Sequence, residues 1–374
     1  MYKTLTSAIA FYCCIIAACA QPESPSTSAN AGEEKPVTIP GSHTRKMMSS
    51  AVSGQEYELQ ILLPAGFQGS GKTYPVVYLM DSQWDFPLLK SLYGQQYYDG
   101  FIPEIIVVGV TWGGIRPNPD SLRARDYTPS RESWAPQSGG ADNFLSFIND
   151  ELFPFVEKNY RGDPNNRTLM GCSLGGLITL YALFKRPEMF TGYVAASPAF
   201  GWDNEIIYQF EKAYAANKNV PHARLYMAMG GVERGVPGFE LLVKQMNERR
   251  YPNLSMKTRI LDNIGHSGTK AEGFARGLQY VFERPMLEWP AEKLQSFTGS
   301  YAARNGRPVE IKLEGGGLVL YFSPNNKFPL HASGENSFYS TAEFLNITFS
   351  RKDGSVDGLE LHQFGGKRLL NKVK

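Results

Sequence analysis

The chain has 374 residues, 20% of them charged and 13% aromatic, with 38 Lys and Arg against 36 Asp and Glu for a formal net charge of +2. Such a balance, without a basic run, argues against nucleic acid as a partner, because neutralising phosphates takes a clustered excess of Lys and Arg. The length supports one large core plus a second, small domain.

The N-terminus reads as an address. Lys3 gives a positive start, and residues 5–18 form an apolar run of signal-peptide length, too short for a membrane span. Residues 1–18 are therefore expected to be a lipoprotein-type signal peptide. Ile16-Ala17-Ala18-Cys19 resembles a bacterial lipobox, which would make Cys19 the lipidated first residue and hold the exported protein at the cell envelope through a membrane anchor. Ordinary cleavage after Ala18-Cys19-Ala20 is the alternative. Residues 19–38 are polar and rich in small side chains, the composition of a flexible tether. No later stretch is long and apolar enough to span a bilayer. Four cysteines occur, but Cys13 and Cys14 fall in the leader and Cys19 at the anchor, which leaves only Cys172 and no disulfide framework.

Residues 39–286 alternate apolar runs with helical patterns. A half-exposed strand is expected over 56–63, where Tyr57, Leu59 and Ile61 alternate with polar residues. Buried strands are expected over 74–80, 104–110, 192–197, 223–229 and 255–261, and a shorter one over 166–170. Helices are expected over 141–159, 174–186, 203–216, 237–250 and 269–283. Buried strands separated by helices imply a doubly wound α/β core around a mostly parallel sheet.

One turn in this core carries chemistry. Gly171-Cys172-Ser173-Leu174-Gly175 has G-x-S-x-G spacing, with a strand before it and the apolar helix 174–186 behind it. A serine exposed at a sharp strand-to-helix turn needs glycine on both sides, so Ser173 is the candidate nucleophile. Cys172 should point into the sheet-helix junction as a packed thiol. In α/β-hydrolases the acid and the histidine follow the serine on loops at the carboxyl ends of later strands. Of five histidines, His266 in Ile264-Gly265-His266-Ser267-Gly268 fits that order. His43 precedes the core, His222 precedes the strand 223–229, and His331 and His362 lie beyond it. Glu233, in Gly230-Gly231-Val232-Glu233-Arg234-Gly235, is preferred as the acid over Asp262 and Glu240, since Asp262 is only four residues from His266 and Glu240 falls on a helix face. Oxyanion donors are expected from the N–H of Leu174 and from Gln83 or Ser82 on the loop leaving the strand 74–80, where Asp81 would tie the loop down by accepting N–H bonds. Arg125, Tyr127 and Trp134 are loop residues open to two readings, lining a pocket or supporting the loop itself.

Taken together, Tyr74-Pro75-Val76-Val77-Tyr78-Leu79-Met80-Asp81, Arg125-Asp126-Tyr127-Thr128-Pro129, the elbow and Ser197-Pro198-Ala199-Phe200-Gly201-Trp202 resemble the putative-esterase (esterase D) family over roughly residues 40–285. The resemblance adds Trp202 to the pocket candidates and implies an α/β-hydrolase fold acting on esters. Gly-Gly-Val-Glu-Arg at 230–234 and Gly-His-Ser-Gly at 265–268 look most like the siderophore-esterase branch, which implies roles for Glu233 and His266. At Cys172 the chain departs from relatives that frequently carry a histidine.

Residues 287–293 form a proline-bounded linker, and 294–374 switch to short alternating strands with turns at Asn305-Gly306, Glu314-Gly315-Gly316-Gly317 and Lys352-Asp353-Gly354. Opened by Phe297-Thr298-Gly299-Ser300-Tyr301, this segment resembles the lipocalin-like β-barrel appended to many exported bacterial serine hydrolases. It carries no catalytic set and reads as a structural cover, with binding of substrate or cell wall as the alternative. The sequence thus points to hydrolysis of a small-molecule or glycan ester through an acyl-enzyme on Ser173, with no metal or organic cofactor implied. An acyltransferase of the same fold and a catalytically silent binding lipoprotein are the rival classes.

Overall fold

The computed structural model describes residues 36–363 and 366–373. The expected signal peptide and Cys19 lie outside the described residues. From Pro40 onward the chain forms one compact unit.

Its larger part is an eight-stranded sheet of order β1-β2-β4-β3-β5-β6-β7-β8. The strands are β1 (Ser42–Met48), β2 (Glu56–Leu62), β3 (Tyr74–Leu79), β4 (Ile106–Trp112), β5 (Gly162–Cys172), β6 (Gly192–Ala196), β7 (Ala223–Gly230) and β8 (Leu254–Leu261). β1 and β2 pair antiparallel, as do β2 and β4, and the rest are parallel. β4 and β6 are buried throughout, as central strands covered on both faces require. The run 255–261, expected to be buried, is an edge strand whose residues alternate in exposure. β1 is an element that the sequence reading left out. Its polar SHTRKMM pattern suits an edge strand, and it takes His43 into the sheet, where Nε2 lies 3.1 Å from the Tyr160 hydroxyl.

The helices are α1 (Ser82–Tyr98), α2 (Pro119–Tyr127), α3 (Ala141–Ser146), α4 (Phe153–Tyr160), α5 (Leu174–Lys185), α6 (Trp202–Glu205), α7 (Ile207–Ala216), α8 (Val236–Arg249) and α9 (Thr269–Val281). α1 and α2 stand where loops were expected. The single helix expected over 141–159 is divided by a π-helical stretch, Phe147–Leu152. Pro154 lies two residues beyond its end; without an N–H it cannot continue the ladder, and the preceding turn widens.

After a short helix, α10 (Ala291–Gln295), eight antiparallel strands close into a barrel of order β10-β11-β12-β13-β14-β15-β16-β9. These are β9 (Gly299–Ala302), β10 (Val309–Glu314), β11 (Gly317–Ser323), β12 (Asn326–Ala332), β13 (Ser337–Ser340), β14 (Leu345–Lys352), β15 (Ser355–Gln363) and β16 (Gly366–Lys372). Phe297, Tyr301, Leu320, Leu345 and Leu361 fill its core. Closure leaves no edge to aggregate. The β14–β15 turn places Asp353 and Gly354 at φ 51° and 80°, the left-handed pair that a tight hairpin needs. The segment joining barrel and sheet is ordered. Arg284 donates to the Gly100 carbonyl at 2.5 Å and to the Asn346 side chain, and its guanidinium lies 3.8 Å from the Tyr339 ring centre.

Candidate active site

Ser173 sits between β5 and α5 with φ 61° and ψ −119°, a conformation that costs a non-glycine residue energy and marks a turn under constraint. The neighbouring glycines have steric causes. A Cβ on Gly171 would come within 2.4 Å of the Gly175 carbonyl oxygen, and one on Gly176 within 2.9 Å of Pro198 Cα. The backbone of Ser173 is fixed from the adjacent strand: its N–H donates to the Ala196 carbonyl at 3.1 Å, and its carbonyl accepts from Ala199 N–H at 3.0 Å. Those bonds lay the segment from Ser197 to Trp202 alongside the serine.

The turn after β7 carries Glu233, and the loop after β8 carries His266. Glu233 Oε2 lies 2.6 Å from His266 Nδ1. Oε1 accepts from Ser197 Oγ at 2.5 Å and Gly230 N–H at 2.9 Å, with Thr269 Oγ1 at 3.4 Å. Burial penalises the Glu233 carboxylate, but the bonds from Ser197, His266 and Gly230 outweigh it and hold its pKa below the ordinary value. His266 is half exposed, and its Nε2 has no bond among the described residues. Asp262 and Glu240, the other carboxylates weighed, are exposed. Hydrogen bonds therefore run along the carboxyl edge of the sheet, from the Ser173 backbone to the end of β6, and through Ser197 and Glu233 to His266.

Leu174 and Gln83 are the first residue of α5 and the second of α1, so their N–H groups have no acceptor within their own helices. Gln83 thus belongs to a helix N-terminus, not to a loop. Asp81 precedes α1 with φ 55°, and its carboxylate holds no loop N–H. It takes the Arg123 guanidinium in two bonds, of 3.0 and 2.8 Å. One turn on, Asp85 binds Lys270 Nζ at 2.7 Å, tying α1 to the first turn of α9 behind His266. Burial raises the pKa of both aspartates, with the paired cations opposing it. Burial also opposes the charge of Arg123, but Asp81 holds its pKa above the ordinary value. Cys172 is 2% exposed, and burial pushes its thiol up to about 12, which makes it a packed group and a poor nucleophile.

Two of the pocket candidates have their polar groups engaged inside the protein. Tyr127 is fully buried at the end of α2, with its hydroxyl accepting the Asp81 N–H at 3.2 Å. Arg125 is bound to Asp126 and Gln55. Both are structural supports, because their polar groups are already satisfied. Trp134, 66% exposed, packs on Trp202 with ring centres 5.0 Å apart, and Trp202 Nε1 donates to the Ser130 carbonyl at 3.2 Å. Sequence reasoning missed Arg123, half-exposed Trp84 lying 5.6 Å from it, Lys270 and Ser197. Arg123 stands two residues before Arg125-Asp126-Tyr127-Thr128-Pro129.

Residues 49–255 match the model of the Putative esterase family, and residues 283–372 match a domain of unknown function, DUF3471. The ferri-bacillibactin esterase BesA of Bacillus subtilis (strain 168) is 32% identical over 222 residues, spanning 55% of this chain and 75% of that protein. The siderophore triacetylfusarinine C esterase of Aspergillus fumigatus is 27% identical over 245 residues, spanning 61% of this chain and 82% of that protein. Among solved structures, the BES protein from Bacillus cereus superposes with a TM-score of 0.62 at 26% identity, covering 68% of this chain and 99% of that one.

Proposed function

Because the chain belongs to the Putative esterase family, we propose that it hydrolyses a carboxylic ester through an acyl-enzyme on Ser173, with His266 as general base and Glu233 as the acid that orients it. The 2.6 Å bond between Glu233 and His266 Nδ1 carries this reading. It fixes the tautomer with the proton on Nδ1 and leaves Nε2 as the base. Ser173 Oγ attacks the carbonyl carbon while Nε2 takes its proton, and the N–H groups of Leu174 and Gln83 meet the oxyanion. Nε2 then returns the proton to the leaving alkoxide, and the alcohol departs. Water attacks the acyl-enzyme with Nε2 again accepting a proton; the bond to Oγ then breaks, the acid leaves, and Nε2 returns the proton to Oγ to regenerate Ser173.

The substrate class is a siderophore-type ester, by analogy with the named activities of the two relatives. The tilted Trp134–Trp202 ring pair supports an aromatic acyl group over acetyl, since indoles pair with aromatic rings. A hydrolysis panel containing a short-acyl nitrophenyl ester, a feruloyl sugar and a catecholate trilactone, run with and without an acceptor alcohol, tests the proposal. Turnover of the trilactone to free acid is expected. Ester formation on the alcohol would make the protein an acyltransferase, and failure to react with a fluorophosphonate probe would make it a silent binding protein.

Export and lipidation at Cys19 belong to the same proposal, supported by the Ile16-Ala17-Ala18-Cys19 run. Cys19→Ser should move the protein out of the membrane fraction. Wild-type protein that is wholly soluble with Gln21 as its first residue would show the ordinary cleavage instead.

A further inference from the structure

The residue that follows β6 is a serine held where serines rarely sit. Ser197 has φ 38° and is 1% exposed, and its N–H is tied to the Ala228 carbonyl at 2.7 Å. A left-handed backbone at a non-glycine residue is maintained only when the surroundings gain from it. The gain here is at the side chain, because this backbone aims Oγ at Glu233 Oε1, 2.5 Å away.

We infer that Ser197 is a positioning residue, whose hydroxyl proton commits Oε1 of Glu233 and leaves Oε2 for the imidazole of His266. The inference rests on the catalytic roles proposed above. A carboxylate on a side chain as long as glutamate's has rotational freedom about its last two bonds, and one bond to a half-exposed histidine does not remove it. Three donors surround Oε1, and they are not equivalent. Gly230 N–H, at 2.9 Å, belongs to the same turn and follows Glu233 wherever the turn goes. Thr269 has one hydroxyl proton and lies nearer to the Gly265 carbonyl, at 3.2 Å, than to Glu233, at 3.4 Å. Ser197 alone reaches the carboxylate from another strand end, the one that also accepts the Ser173 N–H through Ala196. Serine and histidine are thereby referenced to the same piece of backbone.

Two substitutions separate the hydroxyl from the backbone it stands on. Ser197→Ala removes Oγ and keeps the strain of a Cβ at positive φ, whereas Ser197→Gly removes Oγ and relieves that strain. Both should lower kcat by about 10- to 100-fold with KM changed less than about twofold, as loss of a bond to a charged group predicts. Ser197→Gly should unfold at least as late as Ser197→Ala. In the resting protein both should shift or broaden the downfield proton resonance of His266 Nδ1. Wild-type kcat in Ser197→Gly, together with an unmoved Nδ1 proton, would overturn the inference and make Ser197 a packing residue. Undiminished turnover in a folded Ser173→Ala variant would overturn the proposed function instead. The resonance needs no substrate, so the two failures are read separately.

Discussion

Lys270→Met removes the cation that forms the one ion pair of Asp85 among the described residues. Asp85 is 4% exposed and Lys270 22%, their charged atoms are 2.7 Å apart, and the second Asp85 oxygen is buried without a partner among the described residues. Removing one member of a buried pair costs about 3–5 kcal/mol, and water reaching the Lys270 end places this case near the lower limit, about 3 kcal/mol. The sign of its pH dependence follows from burial. The folded-state pKa of Asp85 is already above its ordinary value despite Lys270, so the folded protein binds the proton more tightly than the unfolded chain. The stability associated with that proton is present at low pH and lost as pH rises through the folded pKa. Without Lys270 the pKa rises further and the loss deepens. Urea unfolding of variant and wild type should therefore differ by about 3 kcal/mol near pH 8 and by much less near pH 4.5, with Asp85→Asn/Lys270→Met recovering most of the difference. An equal penalty at both pH values would refute the electrostatic argument and leave only lost packing.

Glu233→Gln replaces an acceptor with an amide and disturbs the tautomer of His266; kcat should fall by about 10²- to 10⁴-fold with the fold intact by circular dichroism. Trp134→Ala removes a ring that is 66% exposed but packs on Trp202, so unfolding free energy should fall by about 0.5–1.5 kcal/mol. KM for aromatic-acyl esters should rise about five- to tenfold, with acetyl esters unaffected. Arg284→Met removes the donors that join barrel and sheet at Gly100 and Asn346. It should cost about 1–3 kcal/mol, read as faster hydrogen exchange in β13 and β14 with kcat unchanged.

The parts of the protein legible in the sequence are those in which a local pattern and a global role coincide. The elbow shows because its glycines recur at fixed spacing around the serine, and at Gly171 the cause is the backbone of the turn itself, the Gly175 carbonyl oxygen 2.4 Å from where a Cβ would stand. His266 and Glu233 show because chain order and glycine-rich loops place them at one edge of a parallel sheet. α1 did not show, because SQWDFPLLKSLYGQQYY contains Pro87 and Gly94, and α2 did not, because PDSLRARDY has almost no apolar face. β1 is too polar to read as a strand until β2 offers it an edge. The ion pairs Asp81–Arg123 and Asp85–Lys270 join residues far apart in sequence, and no local pattern announces them. Ser197 was visible only as part of a motif; its use depends on a backbone angle that sequence does not display.

The central claim is that Ser173 is the nucleophile, and covalent capture tests it most directly. Wild-type protein treated with a fluorophosphonate should gain one adduct, mapped by peptide mass spectrometry to the segment containing Ser173. Ser173→Ala, folded by circular dichroism, should gain none and lose turnover by about four to six orders of magnitude. An adduct elsewhere, or near-normal turnover in that variant, would contradict the account.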